Sequence, residues 1–198
     1  MSTTQPAAVP ARGPATEERP MRADARRNRR RVLDAARAAI EEHGATVQME
    51  DIAKRAGVGV GTIYRHFPTK QALIDELTDQ WMDDGAINAA KALRIDDAWE
   101  ALAAFVRLSS EVMARNRGLR EIYSDVSKPM NDSGEDHPEL RANVGRLLDR
   151  AHEAGVLRAD VGYTEFQALM CGLAIVTTYT APGLHHVYAD VILKGLRS

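Results

Sequence analysis

Apolar residues in this 198-residue chain recur mostly at three- and four-residue spacing, the period of a helix with one buried face. β-branched residues never form the alternating runs of a half-buried strand. Leu33, Ala36 and Ile40 make a first stripe, which predicts a helix from about Ala25 to His43 ended by Gly44. A second helix begins near Gln48, turns Met49, Ile52, Ala53 and Ala56 inward, and is closed by Gly57, with Val58 plugging the turn. A third runs from about Val60 to Phe67, with Ile63 and Phe67 inward. Pro68 stops it, because proline cannot continue the hydrogen-bond ladder and restricts the residue before it. Thr69 is the expected N-cap of a long helix reaching about Leu93, with Leu73, Leu77 and Trp81 on one stripe and Gly85 as a candidate break or hinge.

The pattern continues with a helix from about Asp96, whose apolar side is Trp99, Leu102, Phe105, Val106 and Met113. After Asn116 to Gly118 a further helix carries Leu119, Ile122, Tyr123 and Val126, and residues 128–137 read as a loop. Pro138 suits the first position of the next helix, which turns Leu140, Val144, Leu147, Leu148 and Ala151 inward and ends at Gly155. Thr164 is the expected cap of a helix over about Glu165 to Tyr179 that is apolar nearly all round, with Phe166, Leu169, Met170, Leu173, Ile175 and Val176. The last helix shows Leu184, Val187, Tyr188, Val191, Ile192 and Leu196. The expectation is an all-α fold of about nine helices. A helix apolar on all sides must bury two of them. In a small body the second side is most economically a subunit interface, so the last two helices are expected to make a homodimer.

Composition narrows this picture. The hydrophobic fraction of 44% is enough for a buried core, and no apolar run approaches the ~20 residues of a membrane span. The N-terminus lacks an apolar signal core and Cys171 is the single cysteine, so a cytoplasmic protein without intramolecular disulfides is expected. The net charge of −2 hides an asymmetry. Residues 1–70 hold 13 Lys+Arg against 8 Asp+Glu, a balance of +5; residues 71–198 hold 13 against 20, a balance of −7. A basic head on an acidic body points to a polyanion partner for the head alone. Residues 1–24, rich in Pro, Ala, Thr and Arg without a period, read as a disordered basic arm. The run Arg26, Arg27, Arg29, Arg30 and Arg31 is either a solvated helix start or a segment lying near phosphates.

Three short helices with a glycine turn between the last two follow the helix-turn-helix plan, in which one helix braces another whose outer side enters the major groove. Small residues at the start of the third helix (Gly59, Val60, Gly61) let its backbone approach DNA closely, and Thr62, Tyr64, His66 and Lys70 can donate to phosphates. The glycine spacing fails a dinucleotide fingerprint, because Thr62 stands where the last glycine is needed and no strand precedes it.

The string AGVGVGTIYRHFPTKQAL, preceded by DIAKR, resembles the N-terminal domain of the TetR/AcrR family of bacterial transcriptional regulators. The resemblance rests on Ile52-Ala53, Ala56 to Val58, Gly61-Thr62, Tyr64, Phe67, Lys70 and Leu73, and covers about residues 25–75. It implies a DNA-binding head over 25–70 and a dimerisation and effector-binding body over 71–198. By motif position, Thr62, Tyr64, His66 and Lys70 are the implied phosphate contacts, and Val60, Gly61 and Arg65 the candidates for base edges. Gln48 stands where family members often place a Ser or Thr that caps the helix and touches phosphate; Gly59 replaces a frequent Ser. Val60 either meets a thymine methyl or packs inward with Ile63 and Phe67.

The resemblance also implies a small-molecule pocket in the body. Trp81, Phe105, Met113, Tyr123, Phe166 and Met170 are its candidate lining, against the plainer reading that each is ordinary core. The expected partners are therefore a double-stranded DNA operator, a second copy of the chain and a small hydrophobic or aromatic effector. The alternative is a DNA-binding regulator whose body serves a protein partner. No catalytic residue, cofactor or metal is expected: there is no HExxH or Cys/His ligand spacing, and His185 and His186 point to different sides of a helix.

Overall fold

The computed structural model of the protein describes residues 18–116, 137–179, 181 and 183–198. Among these there are eight α-helices: α1 Glu18–His43, α2 Met49–Ala56, α3 Val60–His66, α4 Lys70–Ala92, α5 Ala98–Arg115, α6 Pro138–Glu153, α7 Tyr163–Tyr179 and α8 His185–Leu196. A 3-10 turn, Gly44–Thr46, follows α1. The fold is all-α, as the periodicity predicts. The helix expected near 119–127, with Tyr123 on it, lies outside the described residues.

Two local expectations are corrected at helix starts. α1 begins at Glu18 rather than near Ala25, so residues 18–24, assigned by composition to the arm, are helical. Pro20 does not prevent this, because the first turn has no intrahelical use for its N–H groups. α7 begins at Tyr163, so Thr164 lies inside the helix instead of capping it. Glu165 reaches back there, its carboxylate accepting from the Gly162 N–H at 3.0 Å.

The buried apolar residues form two cores. One gathers Leu33, Ala36 and Ile40 of α1, Ile52, Ala53 and Ala56 of α2, Ile63 and Phe67 around α3, and Leu73, Ile74 and Leu77 of α4. The other joins Ala89 and Ala92 of α4 to Leu102, Phe105 and Val106 of α5, Leu147 of α6, Phe166 and Leu173 of α7 and Leu193 of α8. Among the described residues, α4 is the one element that contributes buried residues to both. The head's core therefore runs past residue 70, because the first two turns of α4 present their apolar side to α1.

Gly85 does not break α4, which is continuous from Lys70 to Ala92. It serves packing instead: a Cβ there would lie 3.5 Å from Leu140 Cδ1 on α6. Beside it the Asn143 side-chain amide donates to the Ala86 carbonyl at 3.1 Å. The end of α4 is held by Arg150 of α6, whose guanidinium donates to the carbonyls of Leu93 at 2.8 Å, Ile95 at 2.8 Å and Asp96 at 2.9 Å. These carbonyls have no intrahelical partners, so a cation is favoured there twice, by hydrogen bonding and by the helix dipole.

Candidate nucleic-acid interface

The turn between α2 and α3 is built on Gly57, which has φ +65. Its N–H donates to Lys54 O at 3.1 Å, and the Val58 N–H donates to Ala53 O at 3.0 Å. This pair of bonds is the Schellman ending, which needs a left-handed residue that only glycine takes without strain. Arg31 of α1 covers the same turn, its guanidinium donating to Gly57 O at 3.4 Å. α3 ends as expected at Pro68, with Phe67 extended at φ −136 and buried. Thr69 caps α4, its hydroxyl accepting from the Ala72 N–H at 3.1 Å.

Ile63 and Phe67 fix the inner side of α3, so its other residues face outward. Val60 and Tyr64 are 44% and 41% exposed. Of the two readings of Val60, the structure places it outward. Gly61 and Arg65 are exposed with it, while Thr62, His66 and Lys70 are half-buried. The outer surface of α3 and the start of α4 thus hold seven of the eight expected DNA residues: Val60, Gly61, Thr62, Tyr64, Arg65, His66 and Lys70. Gln48 is the eighth and occupies the N-cap position of α2, but its side chain makes no cap bond. It folds back and donates to Thr46 O at 2.8 Å.

Two features went unread in the sequence. Glu50, exposed on the first turn of α2, accepts from the Tyr64 hydroxyl at 3.3 Å. Partial desolvation, and then that carboxylate's charge, hold the Tyr64 phenol above its ordinary pKa. The second is the division of labour in the arginine run. Arg29 is half-buried and tied to the chain itself: its guanidinium donates to Glu76 of α4 at 2.5 Å and lies 5.1 Å from the centre of the Phe67 ring. Arg31 holds the turn. Arg26, Arg27 and Arg30 are exposed, as is Arg31. The signal for the Arg29 role was a carboxylate at Glu76, one turn beyond the expected Leu73 contact, and it is readable only once α1 and α4 are known to touch.

The body contains a cavity of about 180 Å³ bounded by α4, α5, α6 and α7. Trp81, Phe105, Met113, Phe166 and Met170 line it, five of the six residues singled out by sequence; Tyr123 is outside the described residues. Asn88, Ser109, Tyr163 and Gln167 add polar groups to an otherwise apolar wall, and Cys171 adds a thiol whose pKa is raised by burial. Leu140 and Val144 close the α6 side. Among the described residues no three His, Cys, Asp or Glu side chains converge as metal ligands. Nor is any helix among them long and apolar enough to cross a membrane.

A short brace helix, a left-handed glycine turn and an outward helix bearing hydrogen-bond donors define a helix-turn-helix DNA-binding protein. Residues 32–77 match the family described as bacterial regulatory proteins, tetR family, and residues 97–198 match the C-terminal domain of SbtR-like transcriptional regulators. The chain belongs to the TetR family of bacterial transcriptional regulators. It is 27% identical over 187 residues to the HTH-type transcriptional repressor KstR2 of Rhodococcus jostii, an alignment covering 86% of this chain and 91% of that one. An HTH-type regulator of Staphylococcus aureus is 37% identical over 84 residues, 41% of this chain and 44% of its own length. The crystal structure of a TetR regulatory protein from Mycobacterium vanbaalenii is 35% identical, with a TM-score of 0.62 over 90% of this chain and 100% of that one.

Proposed function

We propose that the protein is a cytoplasmic, homodimeric repressor that binds a palindromic operator through its paired α2–α3 heads and is released by a small apolar effector held in the body. The observation that carries this reading is α4. Its first half is built into the head through Leu73, Ile74 and Leu77, and its second half walls the cavity through Trp81, Met82, Gly85 and Asn88. A ligand that displaces the second half moves the head with it.

Thr62, His66 and Lys70 act on phosphates in this account, with Tyr64 exposed beside them, while Val60, Gly61 and Arg65 face base edges. The apolar side chains exposed on α7 and α8 supply the contact between two chains. Leu169 and Val176 share one face of α7, with Ile175 beside it, and Leu184, Val187 and Val191 follow helical spacing at α8. Two such helices from each chain make a four-helix bundle. A cavity of about 180 Å³ is close to the ~150 Å³ that suffices for benzene. A one-ring aromatic or similarly compact molecule is the first effector class to test, oriented by the few polar groups of the wall. The cavity favours this reading over one in which the body serves only a protein partner.

The effector must bind the DNA-incompetent form better, and a near-complete release requires a preference of about 10⁴-fold. Thermal-shift screening of one-ring aromatics, followed by operator titration with each hit, is the test. The expected result is a compound that raises Tm and weakens operator binding together. Hits that leave operator affinity unchanged would remove the induced-release step and leave the DNA-binding reading in place.

A further inference from the structure

Glu50 is an acidic side chain that is both exposed and tied by a hydrogen bond to the outer side of α3. Its carboxylate sits over the junction between the first turn of α2 and the exposed Tyr64, 3.3 Å from the hydroxyl. On the proposed reading this junction enters the major groove, and the present inference rests on that reading. A carboxylate cannot serve phosphate there, since both are anionic and neither donates. Beyond the Tyr64 hydroxyl it has acceptor sites to spare for a further donor, and in the major groove only cytosine N4 and adenine N6 are donors. Adenine sets its N7 acceptor beside N6, which repels a carboxylate; cytosine presents N4 without a neighbouring acceptor on its own ring. The case is strengthened by the entry to α3, where Gly59, Val60 and Gly61 offer no polar side chain and Thr62, the next residue, is assigned to phosphate.

We propose that Glu50 is a specificity-determining residue that reads a cytosine in each half-site, with Tyr64 as the positioning residue that holds its carboxylate toward the groove. The protein then discriminates at that base pair from the brace helix as well as from the recognition helix.

The test is binding-site selection from a random DNA pool with the full-length protein, run in parallel for wild type, Glu50→Ala, Glu50→Gln and Tyr64→Phe. Wild type is expected to select a cytosine at one symmetric position of each half-site, favoured about 5- to 30-fold over other bases. Glu50→Ala should level that position to within about twofold while leaving every other position unchanged. Glu50→Gln, which keeps shape and adds a donor, should shift the preference toward adenine. Tyr64→Phe, which frees the carboxylate, should reduce the cytosine preference in part and leave the other positions unchanged. The inference is overturned if Glu50→Ala alters affinity equally for all four bases, as removal of a merely repulsive charge would do. A wild-type selection with no enriched sequence would instead overturn the α2–α3 reading itself, and this inference with it. Glu50→Gln, nearly isosteric, keeps the test valid should the alanine variant fold poorly.

Discussion

Val191 is 63% exposed in the single chain, the most exposed large apolar side chain of α8, and it is the place to break the proposed dimer. Burying a whole aliphatic side chain is worth about 1.5–3 kcal/mol, so completing the burial of this valine contributes about 1 kcal/mol per copy. A two-fold interface uses the residue twice. Val191→Ala should therefore cost about 2 kcal/mol per dimer, roughly 30-fold in the dimer dissociation constant. Val191→Asp should cost more, because two carboxylates would be buried without partners at several kcal/mol each. A rise of about 1,000-fold or more is expected. Sedimentation equilibrium over a wide concentration range reads both constants. Val191 is outside the chain's own core, so helicity should persist in either variant. Ile87 on α4, 52% exposed, supplies the contrast: Ile87→Asp should leave the dimer intact. An unchanged association constant in Val191→Asp would refute the reasoning, and a loss in Ile87→Asp instead would move the interface to α4.

Other expectations concern the head and its link to the body. Gly57→Ala forces a β-carbon into a left-handed position and within 2.7 Å of the Arg31 guanidinium, so a loss of about 1–2 kcal/mol and weaker operator binding are expected in denaturant titration and mobility shift. Arg29 holds the Glu76 carboxyl below the usual carboxylate range. A depressed folded pKa gives stability that is present above the unfolded value, about 4.3, and is lost as pH falls through the folded one. Glu76→Gln should accordingly make the acid limb of a Tm-against-pH curve shallower below about pH 4.5, with little change at pH 7 in the slope of that curve. Arg150→Ala strips three carbonyls at the end of α4 of a charged donor, and water will replace it in part, so a loss of about 2 kcal/mol in urea unfolding is expected.

Much of this architecture is legible in the sequence because each element carries its own punctuation. Gly57, Pro68 and Thr69 act through local backbone rules, and the helices they bound end where those rules require. That the five described cavity residues face inward follows from periodicity, since an apolar stripe must face the interior whatever the interior holds; that the interior holds a cavity was implied only by the family resemblance. Contacts between distant segments were hidden. Arg29 with Glu76, Arg31 with Gly57 and Arg150 with the end of α4 depend on which helices meet, and a single sequence does not encode that in local spacing. Arg29 and Arg31 looked like DNA-facing charge only because a run of arginines has no intrinsic direction. Glu50 was passed over for a related reason: an acidic residue in a helix's first turn is ordinarily satisfied by the helix dipole. Its contact with Tyr64 appears only when α2 and α3 are placed side by side.

The central claim is that two α2–α3 heads on one dimer read a two-fold symmetric DNA site. The most direct test is to select binding sites from random DNA with the purified wild-type protein and then measure the mass of the complex on the winning sequence. The account predicts an inverted repeat with half-site centres ~34 Å apart or at a longer helical spacing, bound by an even number of chains. Enrichment of an unrepeated site occupied by a single chain, or no enrichment at all, would contradict it.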